Sequence, residues 1–205
     1  MVMTSSVGIH NLGIFGGTFD PPHIGHLLVA AHVQESLKLE RIILVPAASS
    51  PHKRNRPLTD AEHRLAMVRL SVAGVPQMDV SDVEVRRGGV SYTIDTLQML
   101  QQEHPQTTLT LIIGMDNLAE FASWKDPGEI LRIARVVVMT RPWYQAPHDA
   151  DAFARLMHKC AVPEIGIASR DIRRRVCEGR SIRWMVTPEV EHFILRHGFY
   201  LISPT

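Results

Sequence analysis

The strongest signal for chemistry in this sequence is the string Gly16-Gly17-Thr18-Phe19-Asp20-Pro21-Pro22-His23-Ile24-Gly25-His26. It follows a short apolar run and leads into a helical pattern. Adjacent glycines let a backbone turn sharply and approach a ligand closely. The start of the helix behind them offers N–H groups and the positive end of a dipole, which suits phosphate. His23 and His26 are three apart and share one side of a helical turn. Both can donate to phosphate oxygens, and both charge more readily beside an anion. Two other readings compete. A glycine pair after a strand is more often only a turn. Paired histidines can hold zinc, but such a site needs three or four ligands, and Cys160 and Cys177 are unpaired with no matching histidine pair nearby. Phosphate handling is favoured and no metal-ligand set is expected.

The elements that must position this string follow from the alternation of apolar runs with helical patterns, which signals an α/β fold with a doubly wound, mainly parallel sheet. Leu12 to Phe15 reads as the first strand and Gly25 to Leu37 as a helix. Arg41 to Pro46 reads as a strand buried on both faces. Ala47 to Pro57 is long enough for a functional flap. Thr59-Asp60-Ala61-Glu62 has the form of a capping box with Thr59 as cap, opening a helix to about Ala73. Met78 to Val85 is strand-like, Thr93 to Glu103 helical, and Thr108 to Ile113 a strand ending at Gly114. Asp126-Pro127 looks like a helix start capped by Asp, and Val136 to Thr140 a further strand. Thr187-Pro188 opens a helix with Val190, Phe193, Ile194 and His197 on one face and Gly198 at its end. No linker divides the chain, so residues 1–205 read as a single domain.

Composition sets the outer bounds. The 205 residues are 45% hydrophobic and 21% charged, with a formal net charge of +1. That is ordinary globular composition, without a strong overall field to draw nucleic acid or an anionic membrane. The expectation is therefore no nucleic acid and no membrane. Two cysteines cannot build a disulfide framework, and the N-terminal residues lack a secretory pattern. A cytoplasmic protein is expected. A homo-oligomer is compatible with the sequence.

The eleven-residue string resembles the first signature of the nucleotidylyltransferase superfamily, with its paired histidines after a glycine-rich strand end. More narrowly, Gly-Gly-Thr-Phe-Asp-Pro followed by His-x-Gly-His resembles the bacterial nicotinate mononucleotide adenylyltransferases. Further matches follow in order: Pro51-His52-Lys53, Ser91-Tyr92-Thr93 with Asp95-Thr96-Leu97, Ile112-Ile113-Gly114-Met115-Asp116, Ser123-Trp124, Arg141-Pro142, and Ile167-Ala168-Ser169-Arg170-Asp171-Ile172-Arg173. The last departs from the family pattern: Ala168 stands for a Ser and Arg170 for a Thr. Ser169 can still cap the helix there. Of the run Arg173-Arg174-Arg175, Arg173 is expected to face inward with the other two solvated.

The resemblance implies a Rossmann-like nucleotidyltransferase fold and transfer of AMP from ATP to the 5′-phosphate of nicotinate mononucleotide. It implies an in-line displacement without a protein nucleophile or base, assisted by Mg²⁺ held mainly by phosphate oxygens and water. It places Gly16, Gly17, Thr18, His23, His26, Ser169 and Arg173 at ATP, with His23, His26 and Arg173 catalytic and Lys53 a weaker phosphate contact. Gly114 and Asp116 would hold the adenosine ribose. Tyr92, Thr93, Ile94, Trp124 and Arg141 would bind the acceptor, Trp124 by stacking on its ring. Three alternatives stay open: another acceptor such as nicotinamide mononucleotide, phosphopantetheine or FMN; a fragment of a class I aminoacyl-tRNA synthetase, whose His-x-Gly-His motif is shared but whose Lys-rich loop is absent; and a nucleotide sensor without turnover.

Overall fold

A computed structural model of the protein describes residues 10–49, 58–140 and 152–201. Lys53 and Arg141, both expected at the site, lie outside these residues, as does most of the expected flap. Six strands form one parallel sheet: β1 (Asn11–Gly17), β2 (Arg41–Pro46), β3 (Met78–Val80), β4 (Thr108–Gly114), β5 (Ala134–Thr140) and β6 (His158–Ala161). Their order across the sheet is β3-β2-β1-β4-β5-β6. Phe15 of central β1 sits opposite Leu44 of β2 on one side and Ile112 of β4 on the other.

Alternation along each strand explains why both faces are covered. Leu12 and Ile14, Ile43 and Val45, Leu109, Leu111 and Ile113, and Val136 and Val138 point to one face. There they pack on Ile94, Leu97 and Leu100 of α4 (Thr93–Glu103), Met115 and Leu118 of α5 (Met115–Glu120) and Ile130 of α6 (Pro127–Ile133). The intervening residues Phe15, Ile42, Leu44, Ile112 and Val137 point to the other face. They meet Ala30 and Val33 of α1 (Ile24–Ser36) and Val68 of α2 (Ala61–Ser71). A strand with period-two side chains and no polar face needs helices on both sides, which is the doubly wound arrangement. A third cluster joins Met67 of α2 to α7 (Ser169–Cys177) and α8 (Pro188–His197) through Ile172, Val176, Val190 and Ile194.

Four local expectations are corrected, and one strand is added. The cap of α2 is Asp60, not Thr59: its Oδ1 accepts from the Glu62 amide at 2.9 Å, while the Thr59 carbonyl is taken by the Arg64 side chain at 2.8 Å. Met78 to Val85 is a strand only to Val80. Ser81 Oγ then accepts from the Val83 amide and Asp82 pairs with Arg86 one turn on, so the chain turns into the short helix α3 (Val83–Arg87). Asp126 precedes α6 with a left-handed φ of 50° and makes no side-chain cap; Pro127 alone marks the start. Ser169 is the first helical residue of α7, whose cap position is Ala168. The sequence reading has no counterpart to β6, an edge strand with only Cys160 buried, because four residues with one apolar position inward carry no recognisable period.

Candidate active site

The strand order reverses at β1 and β4: the chain winds outward from β1 to β3, then returns beside β1 and winds outward from β4 to β6. The two connections leaving β1 and β4 diverge over opposite faces and open a crevice at the carboxyl ends of those strands. A cavity of about 580 Å³ occupies that place. Gly16 and Gly17 from the end of β1 and Thr18 just after it line the cavity, with Gly114 from the end of β4 and Asp116 from the first turn of the helix that follows. A Cβ at Gly16 or at Gly114 would meet nothing within 4 Å, so both strand ends present open space to a ligand.

The opposite wall comes from the start of α4. Tyr92 is its cap position and Thr93 its first residue, as the sequence indicated, and both line the cavity. Ile94 does not: its side chain is buried in the core, so only its amide can serve a ligand. Trp124 closes this wall, packed on Phe121 with centroids 5.2 Å apart. Beside it, Lys125 donates to Asp95 at 2.8 Å and lies 5.1 Å over the Tyr92 ring, while Arg87 stands 3.5 Å from the same carboxylate. Asp95 thus faces two cations and offsets the Lys125 charge.

His23, His26, Ser169 and Arg173 do not line this cavity. They are gathered along the loop that runs from Thr18 to Pro22: the histidines follow it, and Ser169 and Arg173 bond to its carbonyls. His23 caps α1, and its backbone N–H donates to Nδ1 of His26 at 3.1 Å. A neutral imidazole that accepts at Nδ1 carries its proton on Nε2, so His26 is set in one tautomer with its donor at the far nitrogen. The two rings stack, 3.6 Å between centroids and 25° between planes. Burial pushes the His23 imidazole down to about 4, so it is neutral at pH 7. A Cβ on Gly25 would fall 2.9 Å from His23 Nδ1, which leaves glycine as the residue that fits beside this ring. Two amides of the first turn are already satisfied: Ile24 donates to the Met185 carbonyl and His26 to that of His23, each at 2.9 Å. Phosphate recognition here would fall more to side chains and the helix dipole than the motif alone suggested. The first turn of α1 contains no acidic residue to oppose an anion.

From α7, the Ser169 hydroxyl donates to the Pro21 carbonyl at 2.8 Å, and Arg173 Nη1 donates to the Asp20 carbonyl at 2.6 Å. Arg173 therefore faces the loop, as expected, and Arg174 pairs outward with Asp171. Arg175 is not simply solvated, since its Nε donates to the Ser181 carbonyl at 2.8 Å. Arg170 is exposed and without an ion pair among the described residues.

Four residues of this region were missed in the sequence. Asp20, 3% exposed, accepts from Tyr200 at 2.7 Å and from the Thr59 amide. Burial and the neighbouring carboxylate raise the Tyr200 phenol, which stays protonated. Glu84, 7% exposed, lines the cavity and accepts from Thr96 Oγ1 at 2.5 Å. Burial raises its carboxyl against the opposing hydrogen bonds of Ser91 and Thr96. Arg64, 1% exposed, donates to three backbone carbonyls. Its signal was readable: Arg64 stands on the same helical stripe as buried Met67, Val68 and Ser71. Asp20 and Glu84 sit in a loop and a one-turn helix, where no period marks the buried positions.

A parallel sheet with this strand order, a glycine-lined crevice at its switch point and paired histidines at the first helix define a nucleotide-handling enzyme of the nucleotidyltransferase class. In keeping with that, the model of the cytidylyltransferase-like family matches residues 14–175. A protein of Thermomicrobium roseum described as "Probable nicotinate-nucleotide adenylyltransferase" is 44% identical over 195 residues, 92% of this chain and 91% of the relative. One of Thermus thermophilus with the same description is 42% identical, over 92% of this chain and 98% of the relative. The chain belongs to the nicotinate-nucleotide adenylyltransferases of the cytidylyltransferase-like family. Among solved structures, the nicotinic acid mononucleotide adenylyltransferase of Plasmodium falciparum, complexed with NaAD, superposes with a TM-score of 0.76. The match covers 95% of this chain and 98% of that one at 18% identity, and it bears on the fold alone. Among the described residues no helix is long and apolar enough to cross a membrane.

Proposed function

We propose that this protein transfers the AMP moiety of ATP to the 5′-phosphate of nicotinate mononucleotide, giving nicotinate adenine dinucleotide and pyrophosphate. The observation that carries this reading is the cavity at the β1/β4 crevice, with glycine strand ends on one wall and Tyr92, Thr93 and Trp124 on the other. The relatives' names point to the same chemistry. An oxygen of the acceptor phosphate attacks the α-phosphorus of ATP; a new P–O bond forms as the bond to the bridging oxygen of the β-phosphate breaks. The attacking oxygen is ionised at neutral pH and needs no base. The protein's work is to position both substrates and stabilise charge on the transferring and leaving phosphates.

Thr18, His23, His26, Ser169 and Arg173 would take the ATP phosphates, with Lys53 a further candidate. His26 would donate from Nε2. Arg173 would release or share its carbonyl partner to present its planar fork. Gly114 and Asp116 would hold the adenosine ribose. The amides of Thr93 and Ile94, at the start of α4, would receive the ring carboxylate. Trp124 would cover the ring, with Arg141 a further acceptor contact. No three His, Cys, Asp or Glu side chains among the described residues stand together as a metal cage. Mg²⁺ would be carried by phosphate oxygens and water, where it would neutralise charge on the pyrophosphate. The test is incubation with ATP, Mg²⁺ and single acceptors, followed by chromatography for dinucleotide and pyrophosphate. Dinucleotide from nicotinate mononucleotide is expected; exclusive use of phosphopantetheine or FMN would overturn the reading.

A further inference from the structure

Arg64 is the largest fully buried side chain of the described residues and carries a charge that the transfer chemistry above does not use. Its three donors reach three separate segments: Nη1 to the Thr18 carbonyl at 2.8 Å, Nη2 to the Ala48 carbonyl at 3.0 Å, and Nε to the Thr59 carbonyl at 2.8 Å. Thr18 begins the phosphate loop. Ala48 follows β2 at the rim of the acceptor wall, where its amide donates to Ser91 Oγ at 3.0 Å and the Ser91 amide donates to the Ser49 carbonyl at 2.9 Å. Ser91 in turn precedes Tyr92 and Thr93. Alongside, the Ala47 amide donates to the Gly17 carbonyl at 2.9 Å. A buried charge is costly unless it is compensated and fully hydrogen-bonded. Burial lowers the Arg64 pKa and the Asp20 carboxylate is the largest opposing influence, so the compensating charge belongs to the phosphate loop itself.

We propose that Arg64 is a positioning residue for the transfer step: it clamps the phosphate loop at Thr18 and the acceptor rim at Ala48 into one unit, so that the two substrates meet in register. This rests on the adenylyl-transfer reading above. Arg64 touches neither substrate. Its planar fork sets three donor directions at once, which one ammonium on a flexible stem cannot reproduce. Misplacement of bound reactants by about 1 Å can cost ~10²-fold in rate.

The experiment compares Arg64→Met and Arg64→Lys with wild type and with Ile130→Ala, a core truncation on α6 away from the cavity. Steady-state kinetics at 25 °C should show kcat down by about 10²-fold in Arg64→Met and by more than about tenfold in Arg64→Lys. KM for each substrate should move less than about fivefold, since each wall keeps its own contacts. Ile130→Ala should lose thermal stability with kcat and KM near wild type. A kcat within about threefold of wild type in either Arg64 variant, or a loss carried wholly by one KM, overturns the proposal. If Arg64→Met does not fold, Arg64→Lys decides. Amide exchange gives a second readout that needs no turnover: Ala47 and Ala48 should exchange at least about tenfold faster in the Arg64 variants and unchanged in Ile130→Ala. If wild type yields no dinucleotide, the transfer reading fails by itself, and unchanged exchange at Ala47 and Ala48 would then overturn the clamp.

Discussion

His26 has a structural job and, in the proposed transfer, a chemical one beside it, and His26→Ala would remove both. The first is structural. Its Nδ1 accepts the His23 N–H, and an N-terminal cap bond of this kind is worth about 1 kcal/mol. In a domain of this size that is a fall in Tm of roughly 2–4 °C. The second is chemical. In the proposed chemistry the Nε2 proton would serve a phosphate oxygen, and loss of one preorganised donor costs about 10²–10³ in kcat. His26→Gln separates the two, because its amide oxygen can accept the His23 N–H as the third residue of a capping box. The expected result is a near-wild-type Tm for His26→Gln with kcat still down at least about tenfold, and losses in both for His26→Ala. The assays are thermal unfolding by circular dichroism and pyrophosphate release at saturating substrates. Full activity in His26→Gln would show that His26 acts only as a cap. A kcat above about a third of wild type in His26→Ala would remove it from the chemistry altogether.

Arg173→Ala should lower kcat/KM at least about tenfold, with Arg173→Lys also impaired, while exposed Arg170→Ala stays within about twofold; the reverse ranking would place the phosphate contact at Arg170. Nicotinate mononucleotide should be used at least about tenfold better than nicotinamide mononucleotide, because paired amides at the start of α4 favour a carboxylate. Since Asp95 already offsets Lys125, Lys125→Ala should change that preference by less than about threefold in parallel kcat/KM measurements. His23 titrates near 6.5 unfolded and about 4 folded. The unfolded chain therefore binds the extra proton between these values, and stability rises with pH across that window. About 3 kcal/mol of folding stability should be present above pH 6.5 and lost as pH falls through 4. Denaturant unfolding of wild type and His23→Asn at pH 4.5 and 7 should show a gap that shrinks at the lower pH; a constant gap would rule out a buried neutral His23.

The parts of the fold that obey a period were legible. Val, Ile and Leu at alternate positions of β1, β2, β4 and β5 fixed both faces of the sheet, and Thr93 to Glu103 was read to its ends. Thr18, Tyr92, Thr93 and Trp124 were named from the family resemblance, and all four line the crevice because motif residues at strand and helix ends converge there in this topology. Asp20, Glu84 and Tyr200 were not, because their partners lie in other segments and no period marks them; Arg64 does stand on the buried stripe of α2, but arginine is a residue type that normally stays exposed. The capping misreadings at Thr59 and Ser169 share one cause. In each case the hydroxyl expected to cap is engaged by a segment distant in sequence, that of Thr59 by Tyr200 and that of Ser169 by the Pro21 carbonyl.

The hydrogen bond from Tyr200 to Asp20 spans 180 positions of the chain. During synthesis the sheet can assemble as its strands emerge, since β1, β2 and β3 are neighbours in space, and domains fold from the N-terminus onward. The phosphate loop lacks its phenol partner until residue 200 has cleared the ribosome. A nascent chain that has already built the crevice thus carries an unfinished loop beside it. Truncation just before Tyr200, or a fusion partner that pulls on this segment, should leave a folded but poorly competent protein, and a tag is better placed at the N-terminal end.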